Sequence, residues 1–335
     1  MPEDLHQTTW CTEMALRFIA ERREAPWLMS LNPFDPHPPC DPPQEYLDRY
    51  NPQAMPWPLF REEDIERQKA FRAIDQQTAE AVNPMLFDES KAAYGADLDS
   101  QDKASNPPAS YDARKLKAAY YAQIELIDTQ FGRILDALKA SGQWENTIVI
   151  FTSDHGEMLG DHGLLYKGCR FFEGLTHVPL IVSWPGRFRA GLRSEALVEL
   201  VDLAPTLLEA AGLPAPPTMQ GKSLLPILEG RADPGFHKPH VVSEYNDALG
   251  MAQGRAPGSK SDHSHGSMVF DGRYKTCVYH GHGVGEIYDL QTDPGEFRNL
   301  WFEPEHRELK SELLLRHLDA MMATSDAGIP RTAHF

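Results

Sequence analysis

The chain has 335 residues, a hydrophobic content of 41%, a charged content of 24% and a formal net charge of -17. That length buries a sizeable core as one large domain or two smaller ones, and so acidic a surface argues against nucleic acid or anionic membrane as a partner. No apolar run approaches the roughly 18–20 residues of a membrane span, residues 1–6 show neither the basic nor the apolar region of a signal peptide, and four scattered cysteines (Cys11, Cys40, Cys169 and Cys277) suit neither a disulfide framework nor a zinc site.

Residues 5–22 read as a helix, with Leu16, Phe18 and Ile19 on its apolar face and Arg22 and Arg23 at its end, where cations suit the helix dipole. Residues 26–31 read as a buried strand that empties into a proline-rich loop, residues 32–39. Residues 41–110 are polar and weakly helical near 62–80, an insertion expected over one face. From residue 111 to 140 the pattern is helical, with Leu116, Tyr120, Ile124, Ile127, Phe131, Ile134 and Leu138 at spacings of three and four, and Gly142 as its stop. Residues 147–152 and 178–184 read as strands, the first buried on both faces, and 198–211 as a helix. This alternation predicts a mostly parallel sheet sandwiched by helices. After about residue 230, short strands at 268–270, 274–279 and 286–290 predict a small antiparallel sheet, followed by a terminal helix near 304–322.

The densest chemistry is Ser153-Asp154-His155-Gly156, at the carboxyl end of a predicted strand, where ligands collect in α/β sheets. An aspartate beside a histidine offers one oxygen and one nitrogen to a divalent cation; the blander account is a polar surface turn. The whole run from Phe151 to Gly168 resembles the second metal-binding segment of sulfatases and phosphonate monoester hydrolases, members of the alkaline phosphatase superfamily. Further similar segments follow in order: Thr176 to Gly186, Gln220 to Pro226, and Tyr288-Asp289-Leu290 with Asp293-Pro294-Gly295-Glu296. Upstream, Asp35-Pro36-His37-Pro38-Pro39 resembles the family's histidine loop. The likeness spans residues 5 to 301.

The resemblance implies an alkaline phosphatase-like α/β fold, with residues 1–229 as the main domain and 230–335 as a C-terminal subdomain. It makes Asp154 and His155 metal ligands for one divalent ion, calcium first, with manganese or magnesium as alternatives. Lys167 then touches the bridging or metal-side oxygens of the substrate, and His37 contacts the transferred group and protonates the leaving oxygen. Taken alone, Lys167 also reads as a solvated lysine and His37 as a loop residue. His162 is either a support to the metal ligands or a structural hydrogen-bonder, and His177 is read as structural. His263, His265, His280 and His282 lie in Gly/Ser-rich loops, where mobility or an opportunistic metal site is the plainer account.

The implied function is metal-dependent hydrolysis of a small-molecule sulfate ester, with a phosphonate monoester or phosphodiester hydrolase, or a non-catalytic relative, as alternatives. Family members carry their nucleophile in a Cys- or Ser-x-Pro/Ala-x-Arg motif, and none of the four cysteines here supplies it. The chain is therefore expected to be the C-terminal portion of a longer enzyme, inactive alone and weak in metal affinity, with apolar strand edges exposed. For the same reason its compartment stays open.

Overall fold

The computed structural model describes residues 1–72, 74, 81–91, 110–246 and 264–325. Helix α1 (Gln7–Ala20) packs along α4 (Ala113–Ala140) and runs the same way, and Ala15, Ile19, Ile134 and Leu138 form the seam. Asp112 caps α4 by accepting from the amides of Arg114 and Lys115, and Gly142 closes it at φ 69°, a left-handed turn that glycine adopts freely. The buried face of α4 differs from the apolar stripe expected. It comprises Ala118, Ala122, Leu126, Ile134 and Leu138 together with Lys117, Gln123 and Gln130, while Ile124 is exposed. Small and amide side chains are buried because Tyr46, from the short helix α2 (Gln44–Leu47), closes over Ala122 and Leu126.

Residues 26–31 run extended beside β1 (Val149–Thr152), with Trp27 and Met29 packed inward next to Val149 and Leu28 exposed. Among the described residues they join no ladder, since strand status needs a hydrogen-bonded neighbour as well as an apolar alternation. Strand β1 is half-buried, and its partner β2 (Leu180–Ser183) runs antiparallel, Val149 opposite Ser183. The parallel arrangement expected for these two strands is not formed. A parallel return requires a crossover, usually helical, whereas residues 153–179 are a folded loop whose helix α5 (Glu173–Thr176) has four residues. Leu28, Leu31 and Ile181 are exposed around this pair.

Helix α3 (Glu62–Gln68) covers part of the expected 62–80 helix; most of the rest lies outside the described residues. Helix α6 (Leu203–Ala210) follows a 3-10 turn, Leu200–Asp202. The Gln220 to Pro226 segment folds onto that turn: the Lys222 amide donates to the buried Asp202 carboxylate at 2.7 Å, and a Cβ on Gly221 would lie 1.9 Å from the Val201 carbonyl oxygen. Glycine is required there by close backbone approach. Helix α7 (Leu225–Leu228) completes the segment.

The C-terminal sheet is antiparallel in the order β3 (Val241–Asn246), β4 (His265–Phe270), β5 (Tyr274–His280), β6 (Val284–Asp289), and α8 (Arg307–Thr324) packs on it through Leu313, His317 and Ala320. Strand β3 was not anticipated from sequence. Residues 158–175 are the hub of the core. Met158, Leu164, Phe172 and Leu175 pack on Tyr288 of β6, and Cys169 and Phe171 on Met268, Cys277 and Tyr279 of β4 and β5. Buried charges pin the same stretch. Arg170 donates to Glu286 at 2.7 Å and Tyr279 at 3.1 Å, and Lys275 pairs with Glu296 at 2.9 Å and Glu173 at 2.5 Å.

Candidate functional site

The site grows out of the carboxyl end of β1. Ser153 Oγ donates to the His155 carbonyl at 2.8 Å, and the His155 amide donates to Asp154 Oδ1 at 2.9 Å, so the turn is closed on itself. His155 Nδ1 lies 2.8 Å from the Gly156 carbonyl oxygen, which can only accept, so that nitrogen carries the proton. In the neutral ring the lone pair then sits on Nε2, which is 3.6 Å from Asp154 Oδ2. Both groups are open to solvent, with side-chain exposures of 85% for Asp154 and 42% for His155.

The next residues are locked. The amides of Gly156 and Glu157 donate to the carbonyls of Leu175 and Gly174 at 2.8 and 3.0 Å, and a Cβ on Gly156 would meet the Gly174 oxygen at 1.9 Å. Met158 N donates to the Tyr166 carbonyl at 3.1 Å and Gly160 N to Leu164 at 2.8 Å, folding residues 158–166 back on themselves. Three of the four described non-glycine residues at positive φ, Leu159, His162 and Tyr166, lie in this return. Such conformations persist where packing over-determines them. Lys167 follows this return and feels the charges of Glu157 and Asp154. Burial lowers the Lys167 ammonium, and the two carboxylates oppose that shift.

Glu157 is the residue that sequence reading missed. Burial pushes its carboxyl up to about 7, against the pull of the Leu159, Tyr166 and Met158 amides and of Lys167. Its Oε1 accepts from Met158 N at 3.0 Å. Tyr120 of α4 faces the same charges: burial, with Glu157, Cys40 and Asp154, pushes its hydroxyl up to about 12. Burial and the carboxylates of Glu157, Asp35 and Asp41 likewise push the Cys40 thiol up to about 12, so it stays protonated and non-nucleophilic at neutral pH.

The 35–41 loop, to which His37 belongs, shares the field of Glu157 through Cys40. The His37 ring is exposed, 4.4 Å from that of Phe34, and Nδ1 donates to the Pro38 carbonyl at 2.7 Å, which leaves Nε2 outward. Asp35 anchors the loop. It is buried, accepts from the Thr8 hydroxyl and from Gln123 Nε2 (2.9 Å), and lies 3.4 Å from His6 Nδ1.

Other histidines are structural or peripheral. His162 is buried, 3.4 Å from Asp64 and stacked on Phe172 at 4.2 Å between centroids. His177 is exposed and pairs with Glu173 at 2.9 Å. His265 contacts Asn246 at 2.7 Å, His280 contacts Ser267 at 2.7 Å, His282 lies in the turn after β5, and His263 lies outside the described residues. Glu303, Glu305 and His306 bring ligand atoms within 4.8 Å of one another, but Arg298 already pairs with both carboxylates.

The family model for Sulfatase matches residues 6–213. The chain belongs to the sulfatase family. A second family model, N-sulphoglucosamine sulphohydrolase, C-terminal, matches residues 160–323. Among curated relatives, the multifunctional alkaline phosphatase superfamily protein PehA of Trinickia caryophylli is 30% identical over 97% of this chain and 61% of its own length. An arylsulfatase of Clostridium perfringens is 29% identical over 91% of this chain and 56% of its own. The phosphonate monoester hydrolase of Agrobacterium radiobacter superposes with a TM-score of 0.75 at 28% identity, over 97% of this chain and 62% of that one. This sulfatase-family chain therefore has the alkaline phosphatase-like α/β fold, and it spans about three fifths of the length of those relatives.

Proposed function

We propose that this chain carries the metal side and the leaving-group side of a sulfuric ester hydrolase site. The observation that carries the reading is the Asp154–His155 turn: a carboxylate oxygen and a lone-pair nitrogen, 3.6 Å apart and open to solvent. One divalent cation bonded at roughly 2.1–2.5 Å to each atom spans that separation, so the donor set fits a metal. Calcium is the first candidate, with manganese and magnesium as alternatives. When bound, the metal supplies Lewis acidity toward an ester oxygen.

The remaining work belongs to side chains. Lys167, in the field of Glu157 and Asp154, sets a positive charge against the oxygens of the transferred group. His37 presents Nε2 outward; in the doubly protonated ring Nδ1–H stays on the Pro38 carbonyl and the Nε2 proton passes to the leaving oxygen as the sulfur–oxygen bond breaks and that oxygen takes the bonding pair, leaving a neutral imidazole. The attacking group is supplied by residues outside this chain: no cysteine here stands in a Cys-x-Pro/Ala-x-Arg motif, and the serine that fits the letters of the motif, Ser183 ahead of Trp184-Pro185-Gly186-Arg187, ends β2 opposite Val149, at the far end of β1 from the Asp154 turn. The substrate is a small-molecule sulfate ester.

A phosphonate or phosphodiester ester is the second reading, favoured by the histidine at the second ligand position and by the likeness to the phosphonate monoester hydrolase. Assay of the intact protein on 4-nitrophenyl sulfate and on a phenyl phosphonate monoester separates the two. For the metal, calorimetric titration of this chain with calcium or manganese is expected to give weak binding that disappears in Asp154→Asn. Binding unchanged by that substitution overturns the assignment.

A further inference from the structure

We infer that Gln123 is the positioning residue that holds the His37 loop at its working place. This rests on the reading of His37 as the acid. Gln123 lies on α4, one turn beyond Tyr120, and is completely buried. Its Nε2 donates to Asp35 Oδ1 at 2.9 Å and reaches the Pro39 carbonyl at 3.5 Å, so a single amide grips the loop on both sides of His37. Both partners are acceptors, which settles the amide's orientation. Its other atom, Oε1, is buried without a partner in the described structure. An orphaned acceptor costs stability, so the side chain is held by its donor contacts alone.

The geometry makes this more than a packing contact. His37 is exposed, and among the described residues its hydrogen bond and its ring contact both fall within its own loop, at the Pro38 carbonyl and the Phe34 ring. Its distance from the Asp154 turn is therefore set where the loop is tied down, at Asp35 and Pro39. Asp35 is also held by the Thr8 hydroxyl of α1, but Pro39 is reached from α4 through Gln123. Helix α4 thus reaches the loop through Gln123. A general acid works only within hydrogen-bond reach of the atom it protonates, and it contributes typically 10²–10⁴-fold when placed well.

The test separates loss of the acid from general damage by varying the leaving group. Phenyl sulfate leaves as a basic phenolate and needs protonation; 4-nitrophenyl sulfate leaves as a weakly basic anion and needs it far less. In the intact protein, Gln123→Met, close in size but without a donor, is expected to lower kcat for phenyl sulfate at least ~10-fold while 4-nitrophenyl sulfate stays within ~3-fold. Gln123→Asn, which keeps the amide on a shorter arm, should show a smaller loss of the same kind. His37→Ala is the control. If it loses no more activity on phenyl than on 4-nitrophenyl sulfate, the reading of the acid falls. If it does but Gln123→Met does not, or if Gln123→Met lowers both substrates equally, this inference falls. A readout free of turnover uses this chain itself. The His37 Cε1–H resonance, identified by its loss in His37→Ala, should shift in Gln123→Met, and an unmoved resonance overturns the proposal.

Discussion

Replacing Arg170 by methionine tests how the C-terminal sheet is fastened to the segment that carries Lys167. The Arg170 guanidinium is 3% exposed, donates to Glu286 at 2.7 Å, to Tyr279 at 3.1 Å and to Gln68, and lies over the Phe71 ring at 4.3 Å. Methionine keeps most of the apolar stem but leaves the Glu286 carboxylate, 1% exposed, without its cation. Breaking one side of a buried pair costs about 3–5 kcal/mol, because the remaining charge is desolvated and unpaired. Glu286 retains the Tyr279 and Tyr288 hydroxyls at 2.5 and 2.8 Å, which places the expected loss near ~4 kcal/mol and not beyond it. Urea unfolding followed by tryptophan fluorescence measures it. Adding Glu286→Gln to the Arg170→Met protein should recover about 2 kcal/mol, since the charge disappears while one acceptor oxygen stays for a tyrosine hydroxyl and the new NH2 can donate to the other tyrosine's oxygen. A loss below about 1 kcal/mol for the single variant, or a double variant no better than the single, refutes this account.

Acid should weaken the docking of α8. His317 is 3% exposed, and burial, reinforced by His280, lowers its ring to about 4 from the ordinary 6.5. The folded state resists the proton that the unfolded chain takes up, so this stability is full above pH ~6.5 and is lost as pH falls toward 4. The loss is ~3 kcal/mol, visible as a melting temperature whose acid slope flattens in His317→Phe. Gly156→Ala should destabilise by about 2 kcal/mol or more, because the new methyl meets the Gly174 carbonyl oxygen at 1.9 Å and backbone must move. Thermal unfolding measures that cost, and calorimetry should find divalent-ion binding at Asp154 weakened with it. Asp35→Ala, which strips acceptors from Thr8 and Gln123, should cost about 2–3 kcal/mol by the same unfolding assay and broaden the His37 resonance.

Much of the frame was legible in the sequence. Apolar spacing marks α1 and α4 to within about two residues at each end, with Arg22 and Arg23 closing the first and Gly142 the second as local signals. The β-branched run before Ser153, the strand-end polar cluster and the ordered motifs located the Asp154–His155 turn, because strand–turn chemistry is written in consecutive residues. Pairing was not. A strand's partner and direction depend on what lies between, and the 153–179 loop in place of a crossover made β1 and β2 antiparallel.

What the sequence by itself determined are most of the elements, β3 excepted, and the residue types able to bind a metal or move a proton. Tertiary structure alone decided which groups share a field. Glu157 reads as one more acid in a polar run until burial raises it, and Gln123 reads as a polar flaw in an apolar helix until Asp35, 88 residues away, fills its donor. The physical reason is that desolvation and hydrogen-bond partnership belong to neighbours brought together by folding. Sequence spacing carries information only over a turn of helix or a pair of strand residues.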